Sequence, residues 1–147
     1  MSAERVTLDT NVLIYSVDAD AGDRQERARE VVRRAARHHD CFLSLQTLCE
    51  LFAAATRKGK MTTSEAGDQV TEYQKVFPVV AATPDSLRMA VSAVQRHGLS
   101  FWDAMQWAVA RQAGATLLLS EDLQHDRVLE GVRFRNPFQV EDPFAPA

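Results

Sequence analysis

LDTNVLIYSVD, residues 8–18, is the stretch that decides how this chain is read. A short apolar run closes at Leu8, then an acid, a hydroxyl and an amide follow at Asp9, Thr10 and Asn11, and apolar residues resume at Val12. ERVTL (4–8) reads as a buried strand and Asn11 to Val17 as a helix or helical turn, so Asp9 falls where a strand ends and a helix begins. Aspartate is a favoured helix N-cap. It is also the residue that a ligand site beyond a strand's carboxyl end would use. Taken by itself, Asp9 fits both roles equally.

The bulk numbers set the frame around that stretch. At 147 residues and 46% hydrophobic content the chain supports one domain, with a core over about 1–140 and a loose tail at 141–147. Net charge is −3, so no global basic field advertises nucleic-acid binding. With four acids set aside as ligands the remainder is near neutral, and bulk charge decides little. Only Cys41 and Cys49 occur, too few for a disulfide framework, which together with the lack of an apolar leader segment leads us to expect a cytoplasmic protein. No apolar run approaches the roughly 20 residues that span a bilayer, so no membrane association is expected.

Working outward, residues 23–39 predict a helix. Ala28, Val31, Val32, Ala35 and Ala36 form one apolar stripe, and arginines at 24, 27, 29, 33, 34 and 37 occupy the other faces. CFLS (41–44) predicts a strand feeding a helix from Leu45 to about Lys58. Thr62 with Glu65 is a capping-box pattern opening a helix to about Val76. FPVVAA (77–82) predicts a strand. Thr83-Pro84 starts a helix that Gly98 stops, and Ser100 starts another that ends near Gly114. ATLLLS (115–120) is the clearest buried strand, and VRF (132–134) a last short one. Strands alternating with helices imply an α/β fold with a mostly parallel sheet covered on both faces. Ligands in such sheets sit beyond the strands' carboxyl ends, where both Asp9 and Asp122 fall.

Three further acids stand out. Glu50 is the only charge in LCELFAAA (48–55), a helix that reads as buried on nearly all sides, where an ionised carboxylate needs a partner or a metal. Pairing with Arg57 or Lys58, or an exposed head at the edge of the apolar face, is its structural alternative. Asp103 is the only charge in SFWDAMQWAVA (100–110), but Ser100 and Asp103 have capping-box spacing, and for Asp103 alone the cap is the stronger reading. Phe101 and Trp102 beside it read as core residues rather than a platform for stacked bases. Asp122 follows the buried strand as a site acid, a loop acid or the cap of a short helix at 122–130, with Glu121 read as facing solvent. Together the four suit a hard divalent cation, because carboxylates converging in one cleft repel one another and call for positive charge.

At these residues the chain resembles the PIN domain, and within it the VapC-type toxin ribonucleases of prokaryotic toxin–antitoxin systems. LDTNVLIY (8–15), LQTLCELFAAATRK (45–58), SFWDAMQWAVA (100–110) and LLLSEDLQ (117–124) carry the resemblance in the family's order, over nearly the whole chain. It implies a three-layer α/β/α fold. It implies that Asp9, Glu50, Asp103 and Asp122 gather around Mg²⁺ or Mn²⁺, with Asn11 and Ser120 as supporting polar residues. It further implies endonucleolytic RNA hydrolysis leaving 5′-phosphate and 3′-hydroxyl ends, a homodimer, and a small cognate antitoxin that covers the cleft. Similar proteins often carry glycine where this chain has Asp126, here expected to be a charged loop residue, with His125 a surface loop residue rather than a general base. Arg57, Lys58, Lys60 and the 24–37 arginines are candidate phosphate contacts, although a solvated, ion-paired face is the stronger reading of the arginine helix. Two alternatives remain from the residues: an aspartyl-phosphate enzyme acting through Asp9, which wants a second aspartate where Asn11 stands, and a non-catalytic binding module.

Overall fold

The computed structural model describes residues 4–38, 40–57 and 59–146. The chain runs through β1 (Arg5–Leu8), α1 (Thr10–Val17), a 3₁₀ turn (Ala19–Ala21), α2 (Asp23–His38), β2 (Asp40–Ser44), α3 (Leu45–Arg57), α4 (Thr63–Val76), β3 (Val79–Val80), α5 (Pro84–His97), α6 (Phe101–Gln112), β4 (Leu117–Leu119), β5 (Val128–Leu129) and β6 (Val132–Arg135). The strands form one sheet in the order β3-β2-β1-β4-β6-β5. All neighbours are parallel except β5, which pairs antiparallel with β6. From β1 the chain winds outward through β2 to β3, then crosses back to place β4 on β1's other side. The β1–β4 seam is therefore the point where strand order reverses, the place where sheets of this kind open a crevice at their carboxyl ends.

The period-2 alternation of strands divides the side chains between two layers. Leu117 and Leu119 join Val6, Leu8, Cys41 and Leu43 against α1, α2, α3 and α4. Leu118 and Phe134 turn the other way, against Ala90 and Ala93 of α5 and Ala104, Trp107 and Ala108 of α6. Phe42 sits on that second face with Ala110 and Ala115. Strands buried on both faces explain why LLL reads as a continuous apolar run. The result is the expected three-layer α/β/α arrangement.

Local signals place the helix ends. Thr62 and Glu65 form a reciprocal capping box, with Thr62 N–H donating to Glu65 Oε1 at 2.9 Å and Glu65 N–H to Thr62 Oγ1 at 3.1 Å. Gly98 ends α5 in the left-handed region at φ 68°, which costs a glycine nothing.

Several expectations are corrected. Of FPVVAA only Val79 and Val80 form the strand β3, an edge strand that pairs with β2 alone, and Ala81 and Ala82 run on exposed. Residues 122–130 hold no helix; they carry turns and then β5, which the sequence reading lacked. Helix α3 is not buried on nearly all sides: Leu45, Cys49, Phe52 and Ala53 are exposed, since only one flank meets the sheet. The segment expected as a loose tail is docked. Phe144 packs into the larger core beneath the Arg34 guanidinium, and Arg135 Nη1 donates to the carbonyls of Pro143 and Ala145 at 2.9 and 2.7 Å. Arg27 likewise holds the carbonyls of Pro137, Val140 and Glu141. No helix among the described residues is long and apolar enough to cross a membrane.

Candidate functional site

Asp9 ends β1 and caps α1, its Oδ1 accepting the Thr10 N–H at 2.7 Å. The strand is buried on both faces, so the residue at its end is buried too, with Asp9 only 5% exposed. Around it four donors converge. Gln106 Nε2 also reaches Oδ1, at 3.1 Å, while Ser120 Oγ donates to Oδ2 at 2.8 Å and Asn11 Nδ2 approaches Oδ2 at 3.4 Å. All four are neutral. Burial pushes the Asp9 carboxyl up to about 6, the Ser120 and Thr10 hydrogen bonds pull the other way, and the nearby charges of Asp103 and Asp122 raise it further. The cap and the site acid of the sequence reading are thus one residue performing both roles.

Asp122 lies exposed beyond β4 and accepts from Asn11 Nδ2 at 3.1 Å. The same Asn11 nitrogen stands 3.3 Å from Ser120 Oγ, so one amide bridges the ends of β1 and β4 across the seam. Asn11 Oδ1 accepts the Glu121 N–H at 3.2 Å, and Ser120 Oγ accepts the Asp122 N–H at 3.1 Å. Asp103 sits half-buried in the first turn of α6. Its capping-box reading fails, because Ser100 makes no side-chain cap hydrogen bond. What remains is an acid whose charge is felt by Asp9.

Glu50 is half-buried on α3 and faces the same end of the sheet, accepting from Thr10 Oγ1 at 3.0 Å and from Gln46 Nε2 at 2.6 Å. Neither Arg57 nor any other described cation forms an ion pair with it. Arg57 is exposed in the last turn of α3, and Lys58 lies outside the described residues. Thr10 thus ties Asp9 to Glu50 and Asn11 ties Asp9 to Asp122 at the sheet's switch point, while Asp103 reaches Asp9 through its charge alone. Among the described residues no three histidine, cysteine, aspartate or glutamate groups stand close enough to form a ready-made metal cage. The donor chemistry nonetheless fits a hard cation: oxygen ligands, and a buried Asp9 carboxylate whose proton affinity is raised by the charges of Asp103 and Asp122, with no cationic neighbour.

The rim departs from expectation. Glu121 is half-buried rather than solvent-facing, held by the Tyr15 hydroxyl at 3.1 Å and by Arg24, whose guanidinium lies over the Tyr15 and Phe138 rings. Burial and the Glu121 carboxylate raise the Tyr15 hydroxyl above its ordinary value. Much of the arginine helix serves the protein itself: Arg24 on Glu121, Arg27 on the C-terminal carbonyls, Arg29 on Ser16 O and Arg34 on Asp142. His125 is half-buried and its Nδ1 accepts the Asn136 N–H at 3.0 Å, which occupies the nitrogen a base would use. Asp126 joins it, facing Arg133 and Arg135.

Phe101 and Trp102, expected in the core, are exposed at 38% and 62%, one ring edge-on to the other. Trp102 borders a groove of about 730 Å³ with Leu45, Cys49, Ala82, Met105 and Val109, and Glu50 lies on the same lining. An apolar groove thus adjoins the acidic crevice.

The sequence reading missed Thr10 and Gln106 as members of the site. Thr10 follows Asp9 directly, and Gln106 is the lone polar residue in AMQWAVA, a residue type that an apolar helix has no need of.

The PIN domain family model matches residues 6–130. No curated protein matches significantly. Among solved structures, a toxin–antitoxin complex from Klebsiella pneumoniae is similar at TM-score 0.67 and 20% identity, over 95% of this chain and 100% of that one. DNA-bound VapBC from Salmonella typhimurium gives TM-score 0.67 at 18% identity, over 91% and 98%. Mycobacterium tuberculosis VapC20, described as a toxin that cleaves the sarcin–ricin loop, gives TM-score 0.62 at 21% identity, over 77% and 86%. At these identities the likeness is one of fold.

Proposed function

The chain belongs to the PIN domain family, and from that premise we propose that it is a metal-dependent endoribonuclease, the toxin of a toxin–antitoxin pair that works in the cytoplasm. The observation that carries the proposal is Asp9: a deeply buried carboxylate at the sheet's switch point, under the charges of Asp103 and Asp122, with neutral donors only. Such a group costs the fold several kcal/mol as an anion unless a cation joins it. Asp9, Glu50, Asp103 and Asp122 would hold Mg²⁺, or Mn²⁺ in its place. When bound, the ion supplies charge withdrawal at the scissile phosphate and a water acidic enough to attack phosphorus in line. Thr10, Asn11 and Ser120 hold the carboxylates in place, and any of the acids left free of the ion can take the water's proton. Arg57, exposed in the last turn of α3, would add a phosphate contact by its charge.

The apolar groove beside Glu50, bordered by the exposed Trp102, is the face we assign to a protein partner. Similar structures are toxin–antitoxin complexes, which favours a small cognate antitoxin, and a second copy of the chain is the other occupant proposed. An aspartyl-phosphate route through Asp9 has less support: both of its oxygens already accept hydrogen bonds, and position 11 presents an amide rather than a second acid.

The test is cleavage of RNA by the parent, Asp9→Asn and Asp103→Asn in Mg²⁺, in Mn²⁺ and in chelator. Cleavage confined to the parent with metal is expected, with each variant slower by at least the roughly 10- to 100-fold that loss of a ligand's supporting partner costs. Folded variants that cleave as fast as the parent sink the proposal.

A further inference from the structure

Behind Asp9 lies a polar network that the acids do not explain. Gln106 is 5% exposed on α6, one turn beyond Asp103, among Ala104, Met105, Trp107 and Ala108, which are all buried. Packing alone favours an aliphatic residue there, since burying an amide gains nothing unless its polar atoms are paired. They are paired across three elements. Its Oε1 accepts from Ser44 Oγ at 2.7 Å at the end of β2; its Nε2 donates to Thr47 Oγ1 at 2.6 Å on α3 and to Asp9 Oδ1 at 3.1 Å. Ser44 and Thr47 are fixed in turn, with 3.0 Å between their hydroxyl oxygens and the Thr47 N–H on Ser44 Oγ at 3.1 Å. A carboxylate only accepts, so the amide has one useful orientation, with Nε2 toward Asp9. Oδ1 then carries two inward donors, Thr10 N–H and Gln106 Nε2. Oδ2 is left on the side of Ser120, Asn11 and, through Asn11, Asp122.

We infer that Gln106 is a positioning residue of the acidic site: it locks the Asp9 carboxylate with Oδ1 turned inward and Oδ2 presented to a divalent cation. The inference rests on the metal-site reading above and extends it to a residue that touches neither ion nor RNA. Freed from Gln106, the carboxylate can rotate on Thr10 N–H and Ser120, and its metal-facing oxygen is no longer defined.

The experiment is Mn²⁺ binding to the full chain without RNA, by titration calorimetry and by electron paramagnetic resonance of the free ion, beside thermal melts in chelator. Gln106→Leu keeps the volume and removes the donor. The expected result is a melting temperature near the parent's and Mn²⁺ affinity lowered about 10- to 100-fold, the range seen when a ligand's supporting partner is removed. Thr47→Val, which removes the other anchor of the same amide, weakens Mn²⁺ in the same direction. The double variant binds no more weakly than Gln106→Leu alone, because both act through one group. A purely structural Gln106 would lower the melting temperature and leave Mn²⁺ affinity unchanged, and that outcome overturns the proposal while Asp9→Asn still abolishes binding. If Gln106→Leu does not fold, an unaltered Mn²⁺ affinity in Thr47→Val overturns it instead. A parent that binds no Mn²⁺ defeats this inference and the metal site together.

Discussion

Asp9→Asn should make the metal-free protein more stable at neutral pH, although it removes a residue at the heart of the site. The side chain keeps its shape, the asparagine oxygen can still accept Thr10 N–H and Gln106 Nε2, and its amide can donate to Ser120 Oγ. What it removes is a buried charge. The Asp9 carboxyl titrates at about 6 in the fold, against an ordinary 3.8. Between these values the folded chain binds more proton than the unfolded chain, so the stability that protonated Asp9 contributes is complete below pH 3.8 and is lost as pH rises through about 6. At about 1.36 kcal/mol per pH unit the loss comes to about 3 kcal/mol. Part of it is offset because the asparagine amide must also be desolvated. The variant should therefore exceed the parent by about 1–3 kcal/mol at pH 8 in chelator, roughly 3–9 °C in melting temperature, and the difference should vanish near pH 4. Urea and thermal unfolding from pH 4 to 8 measure it. Saturating Mg²⁺ should stabilise the parent and leave the variant unmoved. A variant equal to the parent at pH 8, or a difference that does not change with pH, refutes the account of Asp9 as a buried, unpaired acid.

Two other perturbations test the frame around the site. Phe144→Ala should cost about 3–4 kcal/mol by urea unfolding, because the ring fills the larger core under Arg34; a cost below about 0.5 kcal/mol would mean the C-terminal segment is not docked. Gly98→Ala meets no atom within 4 Å yet stands at φ +68°, so it should lose roughly 1–2 kcal/mol through backbone conformation alone, read as a shift in the denaturation midpoint with an unchanged slope.

Most elements were legible because each rests on local chemistry. The capping box at Thr62–Glu65, the Thr83-Pro84 start, the glycine stop at 98 and the apolar run of β4 all act over a few residues. The misses have one cause in common. Whether Ala81 is paired, whether Phe52 and Trp102 are covered, and whether Phe144 has a core to enter depend on what lies opposite, and residue type does not encode that. The arginines of α2 show the same limit: their charge marks a polar face, but the acids that Arg24 and Arg34 hold and the carbonyls that Arg27 holds come from residues about 100 positions away.

By itself the sequence determined the alternation of strand and helix, hence a parallel sheet, and it marked four acids that together suit a cation, to which the family resemblance added Asn11 and Ser120. Only the tertiary structure decided that β4 crosses back beside β1, which brings Ser120 and Asp122 to Asp9 across more than 100 residues. It alone supplied Gln106 and Thr10. A carboxylate's hydrogen bonds and proton affinity are set by groups a few ångströms away in space, and those neighbours exist only once the sheet has closed at its switch point.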